Sequence, residues 1–190
     1  MAVAPEVKSS RPLVWTAVAA AAIAAAILLV LVFGLERDPR VIPSPLVGRQ
    51  APRFILPLFD GGTLDTRALH GNVVVVNFWA SWCFPACYEE APHLQRIWER
   101  YRGRGVTVVG VNIQDQDKPA REFLNRFAQT FPNGMDPTGK ISIDYGVYGV
   151  PETFVIDQQG RIVSKDTGAV TEDLLASKIE ALLRSHTGAP

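Results

Sequence analysis

The sequence predicts an α/β domain with a mixed central sheet and helices on both faces, preceded by an N-terminal β-hairpin and a single transmembrane helix. Two continuous apolar runs rich in β-branched residues, Val73–Trp79 and Val106–Ile113, are typical of strands buried on both faces. The segment between them places its apolar residues at helical spacing. Because no hairpin turn joins the two strands, this order predicts a right-handed unit with parallel strands.

The N-terminal segment is predicted to be a membrane anchor. No charged residue occurs between Arg11 and Glu36, and residues 13–35 are almost wholly apolar. About 20 apolar residues are enough for a helix to span a bilayer. Lys8 and Arg11 precede the segment, so residues 1–12 are predicted to be cytoplasmic, with the domain on the periplasmic side of the inner membrane. A cleaved signal peptide is the alternative, although its apolar core is usually shorter.

Residues 36–50 are predicted to be a linker, because they contain three prolines, a glycine and several charges. Residues 51–190 have a globular composition and are predicted to form the domain. Before the first buried strand, the sequence predicts a hairpin that turns at Asp60-Gly61-Gly62 and a helical turn that ends near Gly71. The helix between the two buried strands carries Ala91, Leu94, Ile97, Trp98 and Tyr101 on one face.

Three further elements are predicted after the second buried strand. They are a helix over 118–129 with Phe123, Leu124 and Phe127 inward, a hairpin of strands 153–157 and 161–165, and a last helix from near Thr171 that packs Leu175, Ile179 and Leu182.

Charge and cysteine content limit the function. Lysine plus arginine and aspartate plus glutamate both number 19, which gives no electrostatic case for nucleic acid as a partner. The chain has two cysteines, Cys83 and Cys87, and a bridge across so short a loop stabilises a fold little through chain entropy. They lie where the first buried strand meets its helix, at the carboxyl end of the sheet. A helix start lowers the pKa of a cysteine, so the pair is predicted to be reactive.

Several motifs resemble those of the membrane-anchored thioredoxin-like proteins of the TlpA, ResA and DsbE type. They are "NFWASWC", the proline after it, "EEAP", and "YGVYGVPETFVID" at 145–157. The resemblance runs from about residue 51 to residue 183. It implies a thioredoxin-like fold and a thiol–disulfide oxidoreductase without a cofactor. It further implies that exported proteins are the clients, for example apocytochrome c during cytochrome c maturation, and that a membrane thiol reductase of the CcdA type donates electrons.

The resemblance also implies the site residues. Cys83 matches the attacking cysteine, Cys87 the resolving cysteine, and Glu90 an acidic residue of the family site. The residues implied to contact substrate are Trp82, Pro85, Val150, Pro151 and Glu152, with Pro151 matching a cis proline that faces the dithiol. Asn77 occupies the place of a buried aspartate in thioredoxin itself. Because asparagine cannot titrate, proton transfer would fall to Glu90, Glu152 or water.

The cysteine spacing departs from the family pattern. Three residues, Phe84, Pro85 and Ala86, separate the cysteines, whereas the family has two. In a regular helix, residues four apart have Cα atoms about 6 Å apart, near the wide end of the range that a disulfide spans. The bridge is predicted to close, especially if Cys83 lies just before the first helical turn or the turn holds a π-bulge. Some strain is expected, and a strained bridge is more easily reduced.

Two other functions fit part of the pattern. Copper-delivery proteins of the Sco type are also membrane-anchored thioredoxin folds with three residues between their cysteines, and two thiolates suit Cu(I). Their third ligand is a downstream histidine, however, and residues 94–185 contain none. His70 and His93 are interpreted as surface residues, so no metal site is predicted. The other alternative is a redox-inactive binding module whose altered loop no longer exchanges disulfides.

Overall fold

A computed structural model of the chain describes residues 11–35 and 44–187. The chain divides into two compact units, Met1–Pro39 and Arg40–Pro190. The first unit contains helix α1 (Arg11–Leu35). Among the described residues no helix is both long and apolar enough to cross a membrane, so the span predicted over residues 13–35 is not shown. Residues 1–10 of the predicted cytoplasmic tail and 36–43 of the predicted linker lie outside the described residues.

A mixed sheet forms the centre of the second unit. Its five strands in the described part of the chain are β3 (Val73–Trp79), β4 (Val106–Ile113), β5 (Asn133–Asp136), β6 (Glu152–Ile156) and β7 (Ile162–Thr167). They lie in the order β5-β4-β3-β6-β7. Strand β3 pairs parallel to β4, which pairs parallel to β5, whereas β6 is antiparallel to both β3 and β7. The mixed sheet and the two buried parallel strands are confirmed.

Strand β3 is buried along its whole length because it lies at the centre of this sheet. On its β6 side, Asn77 pairs with Thr153 and Phe78 pairs with Glu152. Successive side chains of a strand point to opposite faces. Asn77 and Thr153 therefore project from one face of the sheet, and Phe78 and Glu152 from the other. This alternation separates the polar groups around the cysteines.

Helices and the N-terminal hairpin cover the two faces. The helices are α2 (Ala86–Tyr101), α3 (Asp117–Arg126), α4 (Lys140–Asp144) and α5 (Glu172–Thr187). On one face, the core packs α2 and α5 on the sheet, through Val73, Val75, Leu94, Ile97, Val155, Leu175 and Ile179 among others. On the other face, the core joins α4 and the hairpin to the sheet, through Leu56, Val74, Val76, Phe78, Ile141, Tyr145 and Phe154 among others. The expected helices on both faces are thus present.

The hairpin consists of β1 (Ile55–Pro57) and β2 (Thr63–Asp65), followed by a 3₁₀ helix (Thr66–Leu69). Its turn contains Gly61 and Gly62, both with positive φ, a conformation that glycine adopts without steric cost. The Phe59 amide donates to the Asn133 carbonyl, which connects the turn to β5. The predicted hairpin is therefore present, and it packs on the sheet face that carries Val74, Val76 and Phe78 and bonds to the edge strand β5.

Strand β5 and helix α4 were not predicted from the sequence. The β5 segment, Asn-Gly-Met-Asp, has no β-branched residue and no alternation. It becomes a strand because β4 pairs with it, and because Gly134 lies so close to the Pro57 carbonyl that a Cβ atom would not fit. Helix α4 has only five residues, too few for a periodic pattern. Both depend on contacts with distant parts of the chain.

Candidate active site

The two cysteines lie where β3 leads into α2, Cys83 in the loop before the helix and Cys87 in its first turn, and they form a disulfide. Cys83 precedes the helix, and its carbonyl accepts the Cys87 amide at 3.1 Å. Their Cα atoms are 5.4 Å apart, shorter than the separation expected for two positions on a regular helix and common for disulfides. Cys83 lies before the helix, which is the arrangement that lets the bridge close. The loop before α2 accommodates the additional residue.

The loop that carries Cys83 is fastened to the end of β4 by Asp115. The Asp115 carboxylate accepts the Ser81 amide at 2.6 Å, the Ser81 hydroxyl at 2.8 Å and the Asn112 amide group at 2.9 Å. Burial raises the pKa of Asp115, but these hydrogen bonds and one from the Gln116 amide lower the pKa below its usual value. Sequence reasoning missed Asp115. Its position at the carboxyl end of β4, beside the end of β3, is a signal that could have found it.

Exposed aromatic side chains flank the disulfide. Phe84 is 77% exposed and Trp82 56% exposed, although the Trp82 indole donates to the Gln114 carbonyl at 2.9 Å. Phe84 also contacts the Tyr88 ring edge to face. Pro85, which was expected to contact substrate, is the exposed residue just before α2. The surface around the dithiol is therefore apolar and accessible to a partner.

Glu90 is a buried acid on the same face of α2 as Cys87, three residues further along the helix. Its Oε1 accepts the Asn77 side-chain amide at 2.8 Å, and its Oε2 accepts the Val170 amide at 3.2 Å. Burial raises the pKa of Glu90 from 4.5 to about 8, although the two hydrogen bonds act in the opposite direction. A carboxyl group that binds a proton near neutral pH is thus held on the helix that carries Cys87.

Glu152 lies on the opposite face of the sheet and is fully buried. Its Oε2 is 2.9 Å from the Lys165 ammonium, and its Oε1 accepts the Tyr148 amide at 3.4 Å. The Lys165 side chain is only 4% exposed. Sequence reasoning named Glu152 and missed Lys165, since a lysine on a strand next to a turn normally points to solvent. Through this ion pair and the bond to Tyr148, Glu152 stabilises the loop before β6. Glu90, three residues after Cys87, is the acid closer to the cysteines in sequence.

The loop before β6 approaches the cysteines from the other side. The Val150–Pro151 peptide bond is cis. Val150 packs against the cluster that contains Cys83 and Cys87. Together with Trp82, it also lines a cleft of about 450 Å³. The structure thus brings Trp82, Val150 and the two cysteines together, while the side chain of Glu152 belongs to the far side of the sheet.

The described residues contain no group of three or more histidine, cysteine, aspartate or glutamate side chains that could hold a metal ion. His70 is exposed. The His93 Nδ1 atom lies 2.7 Å from the Arg96 guanidinium. The chemistry that the arrangement supports is exchange at the sulfur atoms, with a protonatable carboxyl group nearby.

Comparison with known proteins agrees with this chemistry. Residues 47–165 match the model of the AhpC/TSA family. The chain is 42% identical to the thiol:disulfide interchange protein DsbE of Allochromatium vinosum over 86% of this chain and 90% of that protein. It is 31% identical to the thiol-disulfide oxidoreductase ResA of Halalkalibacterium halodurans over 71% and 76% of the two chains.

A solved structure gives the same result for the fold. The crystal structure of a thiol:disulfide interchange protein DsbE from Chlorobium tepidum superimposes with a TM-score of 0.65 and 34% identity, over 70% of this chain and 95% of that one. The fold is thioredoxin-like. The chain belongs to the AhpC/TSA family and, within it, to the thioredoxin-like thiol–disulfide oxidoreductases of the TlpA/ResA/DsbE type.

Proposed function

We propose that this thiol–disulfide oxidoreductase reduces disulfides of exported proteins, with Cys83 as the nucleophile. The difference in exposure between the two sulfur-bearing residues carries the assignment, since Cys83 is 8% exposed and Cys87 fully buried. A client sulfur can therefore reach Cys83 and not Cys87. The exposed Trp82 and Phe84 on either side of Cys83 supply apolar contacts for the client.

The reaction has two exchange steps. The Cys83 thiolate attacks one sulfur of the client disulfide, which breaks that bond, forms a mixed disulfide and releases the first client sulfur as a thiolate. The Cys87 thiolate then attacks the Cys83 sulfur, which forms the Cys83–Cys87 bridge and releases the second client sulfur. Two electrons pass from the dithiol to the client. A thiol reductant must restore the dithiol before the next cycle.

Glu90 handles the proton of the buried Cys87 thiol in this scheme. Cys87 must lose its proton to attack, and burial disfavours a thiolate. A group that exchanges protons near the working pH is the most effective acid or base. The pKa of about 8 for Glu90 meets that condition. Asn77 and the Val170 amide fix the orientation of the carboxyl group.

The proposed partners and location are supported by the sequence. Apocytochrome c is the example of a client that the resemblance supplies, and a membrane thiol reductase of the CcdA type is the proposed electron donor. The uncharged stretch between Arg11 and Glu36 supports a single-pass anchor in the inner membrane, with the domain on the periplasmic side. Pro85, Val150, Pro151 and Glu152 complete the proposed client-binding site, Glu152 through the loop that it holds.

A redox titration of the purified domain against glutathione, combined with metal analysis, tests the function. We expect the Cys83–Cys87 pair to interconvert reversibly between dithiol and disulfide with a measurable potential, and the reduced domain to cleave a client disulfide. Stoichiometric, tightly bound Cu(I) without disulfide exchange would contradict the proposal and favour a copper-binding protein. Neither copper nor exchange would indicate a binding module.

A further inference from the structure

Lys165 is a cation with a buried side chain that contacts both ends of one loop and, at 5.4 Å from the ring centre, Phe154 on β6. It lies on β7 with its side chain 4% exposed. The Lys165 ammonium donates to the Gly146 carbonyl at 2.9 Å and pairs with Glu152 Oε2 at 2.9 Å. It also lies 4.4 Å from the centre of the Tyr148 ring. Lysine is almost never fully buried unless it is paired, so this placement needs an explanation.

Lys165 contacts the ends of the segment 146–152, and Val150 within this segment packs against the cysteine cluster. Gly146 and Glu152 are its ends, and both are tied to the same ammonium group. Glu152 Oε1 in addition accepts the Tyr148 amide. Between these anchors lies Val150, which packs against the cysteine cluster and lines a cleft together with Trp82, the residue before Cys83. Lys165 therefore contacts both ends of this segment, which we call the client loop, from the side away from the cysteines.

We propose that Lys165 is a positioning residue for disulfide exchange. It holds the client loop in the position in which the loop binds a client chain and presents the client's disulfide to Cys83. This inference rests on the proposed function and assigns the residue that sets the loop. The ammonium contacts both ends of the loop, through a charged hydrogen bond to the Gly146 carbonyl at the surface and an ion pair with the buried Glu152. Charge-assisted contacts are stronger than neutral ones, so the two together favour one arrangement of the loop. Exchange needs the reacting sulfur atoms aligned, and small displacements of the binding surface lower its rate.

The simpler explanation is that Lys165 only stabilises the fold. The two explanations differ in what changes when the lysine is removed. A positioning role weakens client binding and raises KM, while the chemistry of the Cys83–Cys87 bridge with a small dithiol is unaffected. A role in stability alone leaves the KM of the folded variant unchanged. The measurement must therefore separate KM from kcat, and client from small molecule.

The variants are chosen to separate loop positioning from an unpaired buried charge. Lys165→Met leaves Glu152 buried without its partner, which alone could unfold the protein. The double variant Lys165→Met/Glu152→Gln removes both charges. Lys165→Arg keeps a cation that can donate to both anchors. Lys178→Met is the matched control. Lys178 lies on α5, and its ammonium donates to Ser164 and pairs with Asp166 at 2.6 Å, both of them on the same strand as Lys165 and outside the client loop.

The probe is a synthetic peptide with one Cys-x-x-Cys disulfide and apolar residues beside it, reduced by each full-length variant. Dithiothreitol reduction of the oxidised proteins serves as the small-molecule measurement, and thermal unfolding reports folding. We expect KM for the peptide to rise about tenfold in Lys165→Met and in the double variant, equivalent to about 1.4 kcal/mol. The dithiothreitol rate should stay near that of the wild type, Lys165→Arg should recover most of the binding, and Lys178→Met should match the wild type.

Wild-type KM in a folded double variant would overturn the inference while leaving the proposed function intact. Loss of folding in both Lys165→Met and the double variant would also overturn it, because Lys165 would then be a stability residue. A wild-type protein that does not reduce the peptide at all would contradict the proposed function itself, and the inference with it.

Discussion

The two cysteines differ in accessibility although only three residues separate them. Cys83 precedes α2 and reaches the surface between Trp82 and Phe84, whereas Cys87 is inside the first turn and fully buried. The difference arises because the chain turns into the helix between them. This difference supports the proposed roles, in which Cys83 forms the mixed disulfide with a client and Cys87 resolves it.

Replacing each cysteine tests these roles. We expect Cys87→Ala to accumulate mixed disulfides between Cys83 and clients, because the resolving thiol is missing. Cys83→Ala should accumulate few, since Cys87 is shielded. Non-reducing gels of cell extracts, followed by mass spectrometry, would show the difference. Faster alkylation of Cys87 than of Cys83 in the reduced protein at neutral pH would reverse the assignment.

The ionisation of Glu90 is coupled to folding. Its pKa is raised by burial from 4.5 to about 8, so the folded protein binds this proton more tightly than the unfolded chain. The resulting stabilisation is present at low pH and is lost as the pH rises toward the folded-state pKa. Between those limits, each pKa unit corresponds to about 1.4 kcal/mol, so the total change is on the order of a few kcal/mol.

Glu90→Gln should remove this dependence. Relative to the variant, the wild-type free energy of unfolding should fall by roughly a few kcal/mol as the pH rises from about 5 to about 8. Urea unfolding of the oxidised proteins at several pH values measures it. Glu89→Gln, at an exposed neighbouring position, is the control and should follow the wild type. Parallel pH profiles for the wild type and Glu90→Gln would show that Glu90 does not carry the raised pKa.

At the scale of elements, the redox loop depends on the end of the neighbouring strand. Asp115 follows β4 and accepts hydrogen bonds from Ser81 in the loop and from Asn112 in the strand. Trp82 adds a bond to the Gln114 carbonyl. These contacts join the loop after β3 to the loop after β4, which the strand pairing itself does not connect. The position of Cys83 is thus set by two elements.

Asp115→Ala should loosen this junction. The variant leaves the Ser81 and Asn112 donors without their acceptor, which we expect to lower the free energy of unfolding by about 1–3 kcal/mol near neutral pH. Because hydrogen bonds outweigh burial and lower the pKa of Asp115, its stabilising effect is present above the unfolded-state pKa and is lost as the pH falls through the lowered value. The deficit of the variant should therefore shrink in strong acid.

Asp117→Ala is the matched control for that measurement. Asp117 is the first residue of α3, two positions further on, and pairs with Arg121 at 2.8 Å with its side chain 64% exposed. An exposed pair of this kind contributes a few tenths of a kcal/mol, so its loss should change stability by less than about 1 kcal/mol. Equal losses in the two variants would mean that the acceptor function of Asp115 does not hold the loop.

At the scale of the whole molecule, the chain separates an N-terminal unit from the redox domain. The proposed anchor and topology can be tested on cells whose outer wall has been removed. Added protease should digest residues 51–190 while leaving cytoplasmic marker proteins intact. Protection of the domain would contradict the topology. A mature protein that starts after residue 35 would instead identify the segment as a cleaved signal peptide.

The sequence by itself determined the features that depend on neighbouring residues. Strands β3 and β4 were predicted with their observed bounds, because a continuous β-branched run identifies a central strand locally. The dithiol and its place before a helix followed in the same way from the motif around Cys83. Helix α3 was predicted over 118–129 and is observed over Asp117–Arg126, and α5 starts one residue after the predicted start near Thr171. The roles given to the site residues stay predictions.

Only the tertiary structure decided which distant groups meet. It placed Glu90 and Glu152 on opposite faces of the sheet, made β5 a strand, and brought Asp115 and Lys165 to the loops around the dithiol. None of these follows from local pattern, since each depends on strand register and on partners far apart in the chain. A buried acid or lysine has the same sequence signature as a solvated one, and its environment forms only when the sheet assembles.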